Sequence, residues 1–309
     1  MRDDSGVFEP AEEFPNRQAA ERYAALVGLD EVKARLLKEA KVLLDPAALD
    51  QWSKRHHGIV LHAVRSFKDR IPLFVFAGDV GTGKTALAET FGDALARTEK
   101  LSVTLLPMSL TARGSGRVGE MTTLIAQAFR SVETQAAAGA SDKRAASALV
   151  LLIDEGDALA QSRELAQMHH EDRAGVNALI RGVSRIAAKG LPIITILCTN
   201  RGNALDPALR RRAAAIFTFR RPNDEQREAL LRRAFDGAGL SDANLKRLVT
   251  LTGETDGRRY GYSHSDITTR LVPAAVLDAF PDRPVSAERL EDLLRENPPT
   301  APFADSLDS

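Results

Sequence analysis

Apolar and polar positions along the chain follow two rhythms. Near-continuous apolar runs occur in PLFVFAG (residues 72 to 78), LSVTLLP (101 to 107), ALVLLID (148 to 154), PIITILCT (192 to 199) and AIFTF (215 to 219). A strand apolar on both faces is one covered on both faces, so these runs predict buried strands. Helix-forming stretches separate them. The segment YAALVGLDEVKARLLKEAKVLL, with Leu29, Val32, Leu36 and Leu37 at helical spacing and Asp30 as a first-turn acid, precedes the first run. Strands alternating with helices predict an α/β fold with a mostly parallel sheet.

After RRPNDEQ the strand pattern stops, and helical periodicity continues over 224–238, 242–253, 264–280 and 286–296. The predicted organisation is a mobile acidic N-terminal segment over 1–22, a large α/β domain over 23–221, a small all-helical domain over 222–297 and an unfolded tail over 298–309. A length of 309 residues accommodates both domains.

Composition narrows the function classes. Lys+Arg and Asp+Glu are both 42, so the formal net charge is zero and nucleic acid is not expected as the main partner. Cys198 is the single cysteine, which excludes an internal disulfide, and MRDDSGVFEP has neither a basic nor an apolar leader region. A reducing cytoplasm is the expected location. No run of about eighteen apolar residues occurs, so no membrane span is expected.

The most specific signal is GDVGTGKT. Gly78, Gly83, Lys84 and Thr85 form GxxxxGK[ST] between a predicted strand and a predicted helix, the order a phosphate-binding loop requires. Backbone amides from Asp79, Val80, Gly81, Thr82 and Gly83 curl around a polyphosphate, and the helix start turns its positive dipole end to the same anion. Lys84 is expected on the β- and γ-phosphates and the Thr85 hydroxyl on Mg²⁺. A second strand ends in Asp154 and Glu155, at the carboxyl edge where open parallel sheets bind ligands. Asp154 is expected to hold Mg²⁺ directly or through water, and Glu155 to orient and deprotonate the attacking water. Asn200, at the tip of PIITILCTN, is either a water-positioning amide or a turn asparagine, and Cys198 reads as a small buried residue. Arg210 to Arg212 either form a solvated surface or supply a guanidinium to a neighbouring copy's phosphoryl transfer.

The series VGLDEVK, GDVGTGKT, LLIDE, CTN, LDPALRRR and GYSHSDITTRLVPAAVLDA resembles AAA+ ATPases over residues 24 to 296. The resemblance implies a Rossmann-like P-loop NTPase domain with a helical lid, nucleotide bound between the two, and a homo-oligomeric ring that is commonly hexameric. It assigns Asn200 to sensor 1, Arg211 and Arg212 to the arginine-finger region, and Val27 with Gly28 to the lining of the adenine pocket. The sensor-2 position falls on Ser265 or Ile267, with Arg270 one turn on, and that role stays open.

GSGRVG at 114 to 119 satisfies GxGxxG, but its distance from the preceding strand is too great for a dinucleotide site. By the resemblance it is the loop facing the ring channel, with Arg117 and Val118 flanked by Gly116 and Gly119. The gripping aromatic of strong translocases is missing, which fits limited remodelling or an acidic client segment paired with Arg117. QMHHEDRAGVN corresponds to a second channel loop. His169–His170 and His56–His57 read as solvated loop histidines, being adjacent and so poorly spaced for one metal. The finger-region spacing and RLVPAAVLDA are similar to the pachytene-checkpoint type, which remodels HORMA-domain proteins, in the short bacterial version that accompanies cyclic-oligonucleotide antiphage signalling (CBASS). A transposition-helper or loader type of ATPase acting on nucleic acid is the competing expectation.

Overall fold

The computed structural model of the chain describes residues 7–67, 70–109, 120–139, 147–157, 170–202 and 205–303. In chain order the first part holds β1 (Glu12–Phe14), α1 (Arg17–Ala25), α2 (Asp30–Leu44), α3 (Pro46–His57), α4 (His62–Arg65), β2 (Ile71–Gly78), α5 (Lys84–Glu99) and β3 (Ser102–Ser109). It continues with α6 (Glu120–Gly139), β4 (Ser147–Asp154), α7 (His170–Lys189), β5 (Ile193–Thr199), α8 (Pro207–Arg212) and β6 (Ala213–Phe219). The rest is helical: α9 (Asp224–Ala234), α10 (Asp242–Thr252), a π-helical stretch (Asp266–Leu271), α11 (Val272–Ala279) and α12 (Ala287–Glu296).

The strands form one sheet in the order β1-β3-β4-β5-β2-β6. β3, β4, β5 and β2 run parallel, and β1 pairs antiparallel with β3 at its edge. Each predicted strand is present. β5 is buried at every position, as a strand covered on both faces must be. Leu73 and Val75 of β2 and Leu151 and Ile153 of β4 pack in one core with Phe129 of α6 and Leu179 and Val183 of α7. Burying such side chains contributes about 1.5–3 kcal/mol each. Close approach of the two helices is set at Gly182, where an added Cβ would stand 2.3 Å from the Phe129 ring.

Contacts divide the chain into two compact units with interleaved sequence. The sheet unit takes the N-terminal residues to Ala25, Glu31–Ala77 and Thr85–Thr218. The helical unit takes Leu26–Asp30, Gly78–Lys84 and the chain from Phe219 onward, so the glycine loop groups with the helices and not with the strand it follows. Inside the helical unit Leu231, Leu248, Ile267 and Leu290 form a separate core. Reciprocal side-chain caps start α9 (Asn223 with Gln226) and α10 (Ser241 with Asn244), each worth about 1 kcal/mol.

Three expectations are corrected and one is refined. Residues 12–22 are not a loose tail: Glu12–Phe14 is a sheet edge and Arg17–Ala25 a helix. Phe14 lies over Gly92, where an added Cβ would meet its ring at 2.5 Å, and Asp93 accepts the Asn16 amide at 2.8 Å. The final segment is likewise bonded through Phe303, as described below. The helix expected over 264–280 opens as a π-helix, the Val272 amide reaching back to the Ile267 carbonyl, because Pro273 has no N–H to continue a regular ladder. His56 and His57 lie in the last turn of α3, tilted and edge-on against the Trp52 ring, and not in a loop. That helix carries ordinary start signals, an Asp45 cap and Pro46 in its first turn. Among the described residues no helix is long and apolar enough to cross a membrane.

Candidate functional site: a phosphate loop and a carboxylate turn

β2 is apolar to Ala77, and the chain then turns through Gly78–Lys84 into α5. Gly81 has φ +73, and a Cβ there would stand 2.6 Å from Ser263 Oγ. At Gly78 the backbone of Phe219 passes so close that a Cβ would lie 2.1 Å from its carbonyl oxygen. Both positions therefore require glycine. Thr82 is fully buried and donates from Oγ1 to the Asp79 carbonyl at 2.7 Å. The Lys84 ammonium donates to the carbonyls of Gly78 (2.9 Å) and Asp79 (2.7 Å) at the base of the loop. Ser265 N–H donates to the Gly81 carbonyl at 3.0 Å. α5 begins at Lys84, and its first-turn amides have no partners within the helix.

Val27 and Gly28 belong to the same unit. Gln226 Nε2 donates to the Gly28 carbonyl at 2.8 Å, while its Oε1 accepts the Asn223 amide as part of the α9 cap. His264 Nε2 lies 3.2 Å from the Val27 carbonyl. A carbonyl only accepts, so Nε2 carries the proton and Nδ1 is the bare nitrogen, buried with no partner among the described residues. Burial pushes the imidazole below its ordinary pKa, and the Val27 bond pulls weakly the other way. Sequence reading missed Gln226 and His264. Their partners Gly28 and Val27 stand 198 and 237 residues away, so nothing local marks either.

In the sheet unit β4 ends at Asp154, whose Oδ1 accepts from Thr85 Oγ1 at 3.3 Å and from the Glu155 amide at 2.9 Å. The loop threonine and the strand-end acid are thus brought together. Glu155 is exposed and has φ +53, a conformation that side chains rarely adopt. The turn closes where Gly156 N–H donates to the Cys198 carbonyl at 2.9 Å, and a Cβ on Gly156 would meet Leu197 at 2.2 Å. Cys198 is buried, as expected of a small apolar residue.

Asp157 is a third residue that sequence reading missed. Its carboxylate accepts from Thr199 Oγ1 (2.9 Å), the Asn200 amide (2.6 Å) and Asn200 Nδ2 (3.0 Å), so it fixes both backbone and side chain of Asn200. The available signal was a third acid in IDEGD, one turn past the strand.

Arg211 and Arg212 are exposed at the end of α8, whose start is capped by the buried Asp206 accepting the Ala208 amide at 2.7 Å. Neither arginine makes an ion pair among the described residues. Of the sensor-2 candidates, Ile267 is buried, Ser265 bonds Thr269, and Arg270 is held by Asp266 at 2.9 Å. Gly116, Arg117, Val118 and His169 lie outside the described residues.

The family model for the ATPase family associated with various cellular activities (AAA) matches residues 74–221, from β2 to the end of the sheet. CD-NTase-associated protein 6 of Escherichia coli strain MS 115-1 is 50% identical over 300 residues, covering 97% of this chain and 96% of that protein. Among solved structures, a chain of the E. coli MS115-1 HORMA:CdnC:Trip13 complex is similar with a TM-score of 0.88 at 51% identity, over 96% of this chain and 97% of that one. The Rhizobiales Trip13 structure gives a TM-score of 0.75 at 42% identity, over 96% of this chain and 100% of that one. With a half-identical relative matched over nearly its whole length, the chain belongs to the AAA ATPase family, in the group of the CD-NTase-associated protein 6 proteins.

Proposed function

We propose that this chain binds ATP with Mg²⁺, hydrolyses it as a homo-oligomeric ring, probed first as a hexamer, and uses the energy to change the conformation of a HORMA-domain client in bacterial antiphage signalling. The observation that carries the nucleotide part is the 3.3 Å contact between Thr85 Oγ1 and Asp154 Oδ1. A hydroxyl and a carboxylate form a hard-oxygen pair suited to Mg²⁺, which takes few protein ligands and completes its shell with phosphates and water. The residues present fit the nucleotide: glycines at Gly78 and Gly81 that tolerate no side chain, an ammonium at the loop base, and a helix start at Lys84. When bound, the ion would neutralise charge developing on phosphate oxygens.

The chain's own residues divide the work. Lys84 and the α5 amides bind the β- and γ-phosphates. Val27 and Gly28, held by His264 and Gln226, line the adenine. Glu155 takes the proton of the attacking water, and Asn200, fixed by Asp157, orients that water. Arg211 and Arg212 serve an adjacent copy, so turnover depends on assembly, and the loop with Gly116, Arg117 and Val118 contacts the client. Similarity to a chain of a HORMA:CdnC:Trip13 complex supports the client class. The proposed location is the cytoplasm.

The test combines the full chain, MgATP and a HORMA-domain protein of the same organism, and follows the client's protease sensitivity. An ATP-dependent change, absent with Glu155→Gln, is expected; a client unaffected by ATP overturns the remodelling reading.

A further inference from the structure

Asp79 places a carboxylate inside the loop assigned to a polyphosphate, one residue past Gly78. Like charges at such separations repel strongly where water does not screen them, and Asp79 is only 7% exposed. The carboxylate is saturated from within its own unit. Oδ1 accepts the amides of Val80 (2.8 Å) and Phe303 (3.0 Å). Oδ2 accepts Arg221 Nε at 2.7 Å and faces Nη2 at 2.6 Å. Arg221 in turn donates from Nη1 to the Gly261 carbonyl (2.6 Å) and from Nη2 to the Thr300 carbonyl (2.8 Å), with its guanidinium 5.1 Å from the Tyr260 ring centre. One planar fork therefore joins the loop, the turn before the π-helix and the C-terminal segment.

We propose that Arg221 is a positioning residue for nucleotide binding: it cancels the Asp79 charge within the phosphate loop, and the segment around Thr300 and Phe303 straps the pair in place. The inference rests on the nucleotide reading of the loop. It also explains why a segment of proline, threonine and alanine is ordered. Thr300 donates to Asp266 from both N–H (3.2 Å) and Oγ1 (2.7 Å), beside its carbonyl's bond to Arg221. Charge neutralisation separates this role from a plain cross-brace, because an uncompensated carboxylate repels three phosphates more than two, and its removal should restore what loss of Arg221 takes away.

The experiment measures the affinity of the full chain for MgATP and MgADP, with thermal stability alongside. Arg221→Ala is expected to weaken MgATP about tenfold or more, and MgADP by a smaller factor. Asp79→Asn combined with Arg221→Ala is expected to return both to within about threefold of wild type. Arg221→Lys keeps the charge without the fork and is expected within about threefold for MgATP, which carries the test if Arg221→Ala does not fold. Equal losses for the two nucleotides with no recovery in the double variant would make Arg221 a brace alone and overturn the proposal. A wild-type chain that binds neither nucleotide overturns the nucleotide reading itself and this inference with it; wild-type binding lost in Lys84→Ala but unchanged in Arg221→Ala overturns only the inference.

Discussion

The loop Gly78–Lys84 and the turn from Asp154 to Asp157 stand at the ends of two strands, β2 and β4, and are held by opposite means. The loop is fixed by partners far along the chain: Arg221 is 142 residues from Asp79, and Phe303 is 224 residues from it. The turn is fixed inside the sheet unit, by Asp154 on the Glu155 amide, by a left-handed backbone at Glu155, and by Asp157 on the adjacent strand end at Asn200, 43 residues away. A loop built from distant partners responds to the state of the whole helical unit. The turn draws its partners from the neighbouring strand end of its own unit. Changes at Glu155 and Asp157 should therefore alter turnover with binding intact, while changes in the helical unit should alter binding first.

The largest separation is expected from Glu155→Gln. Steady-state phosphate release should fall by about 10²–10⁴, with MgATP affinity within about threefold of wild type. Hydrolysis at the wild-type rate would remove Glu155 from the role of base. Asp157→Ala is the next step down: Asn200 loses its two side-chain and backbone anchors, and kcat should fall about tenfold to a hundredfold with KM little changed. A rise in KM matching the fall in kcat would show that the turn also shapes binding.

In the helical unit Asp266 is the polar hub. Burial alone would raise its pKa, but donors from Thr300 and Ser263 outweigh this and hold the carboxyl below its ordinary value of 3.8. As pH falls below 3.8 the unfolded chain takes up a proton before the folded one does, so stability present above that pH is lost until the folded pKa is passed. Asp266→Asn should cost about 2 kcal/mol near neutrality and flatten the acid slope of a denaturation series. An unchanged slope would assign the acid sensitivity elsewhere. The smallest effect is expected at Glu133, which Lys189 (2.6 Å) and Arg185 pair across α6 and α7. Burial raises its pKa, but the two cations outweigh it and leave the carboxyl below its usual value. Both cations are half exposed, so Glu133→Gln should cost about 1 kcal/mol or less, with nucleotide affinity unchanged. A shift in affinity there would break the assignment of binding to the helical unit.

What could be read in the sequence follows the same division. The strands were legible because burial on both faces leaves unbroken apolar runs, and the loop and strand-end acids because their chemistry needs fixed types at fixed spacing. Asp157 was passed over, since its partner Asn200 follows a different strand, 43 residues away. Arg221 read as the boundary RRPNDEQ, and the last residues read as unfolded, because PPTAPF signals by backbone amides and carbonyls that composition does not reveal. β1 is three residues with two glutamates, too short and polar for any strand pattern, and exists because Phe14 fills the space over Gly92. The interleaving of the two units was invisible for the same reason: it is made by contacts such as Ser265 to Gly81.

The most direct measurement is a titration of the purified full chain with MgATP beside its Lys84→Ala variant. Saturable binding by the wild type and loss of about a hundredfold or more in the variant is the predicted result. Equal affinity of the two proteins, or no binding by either, would contradict the assignment of the Gly78–Lys84 loop as the nucleotide cradle.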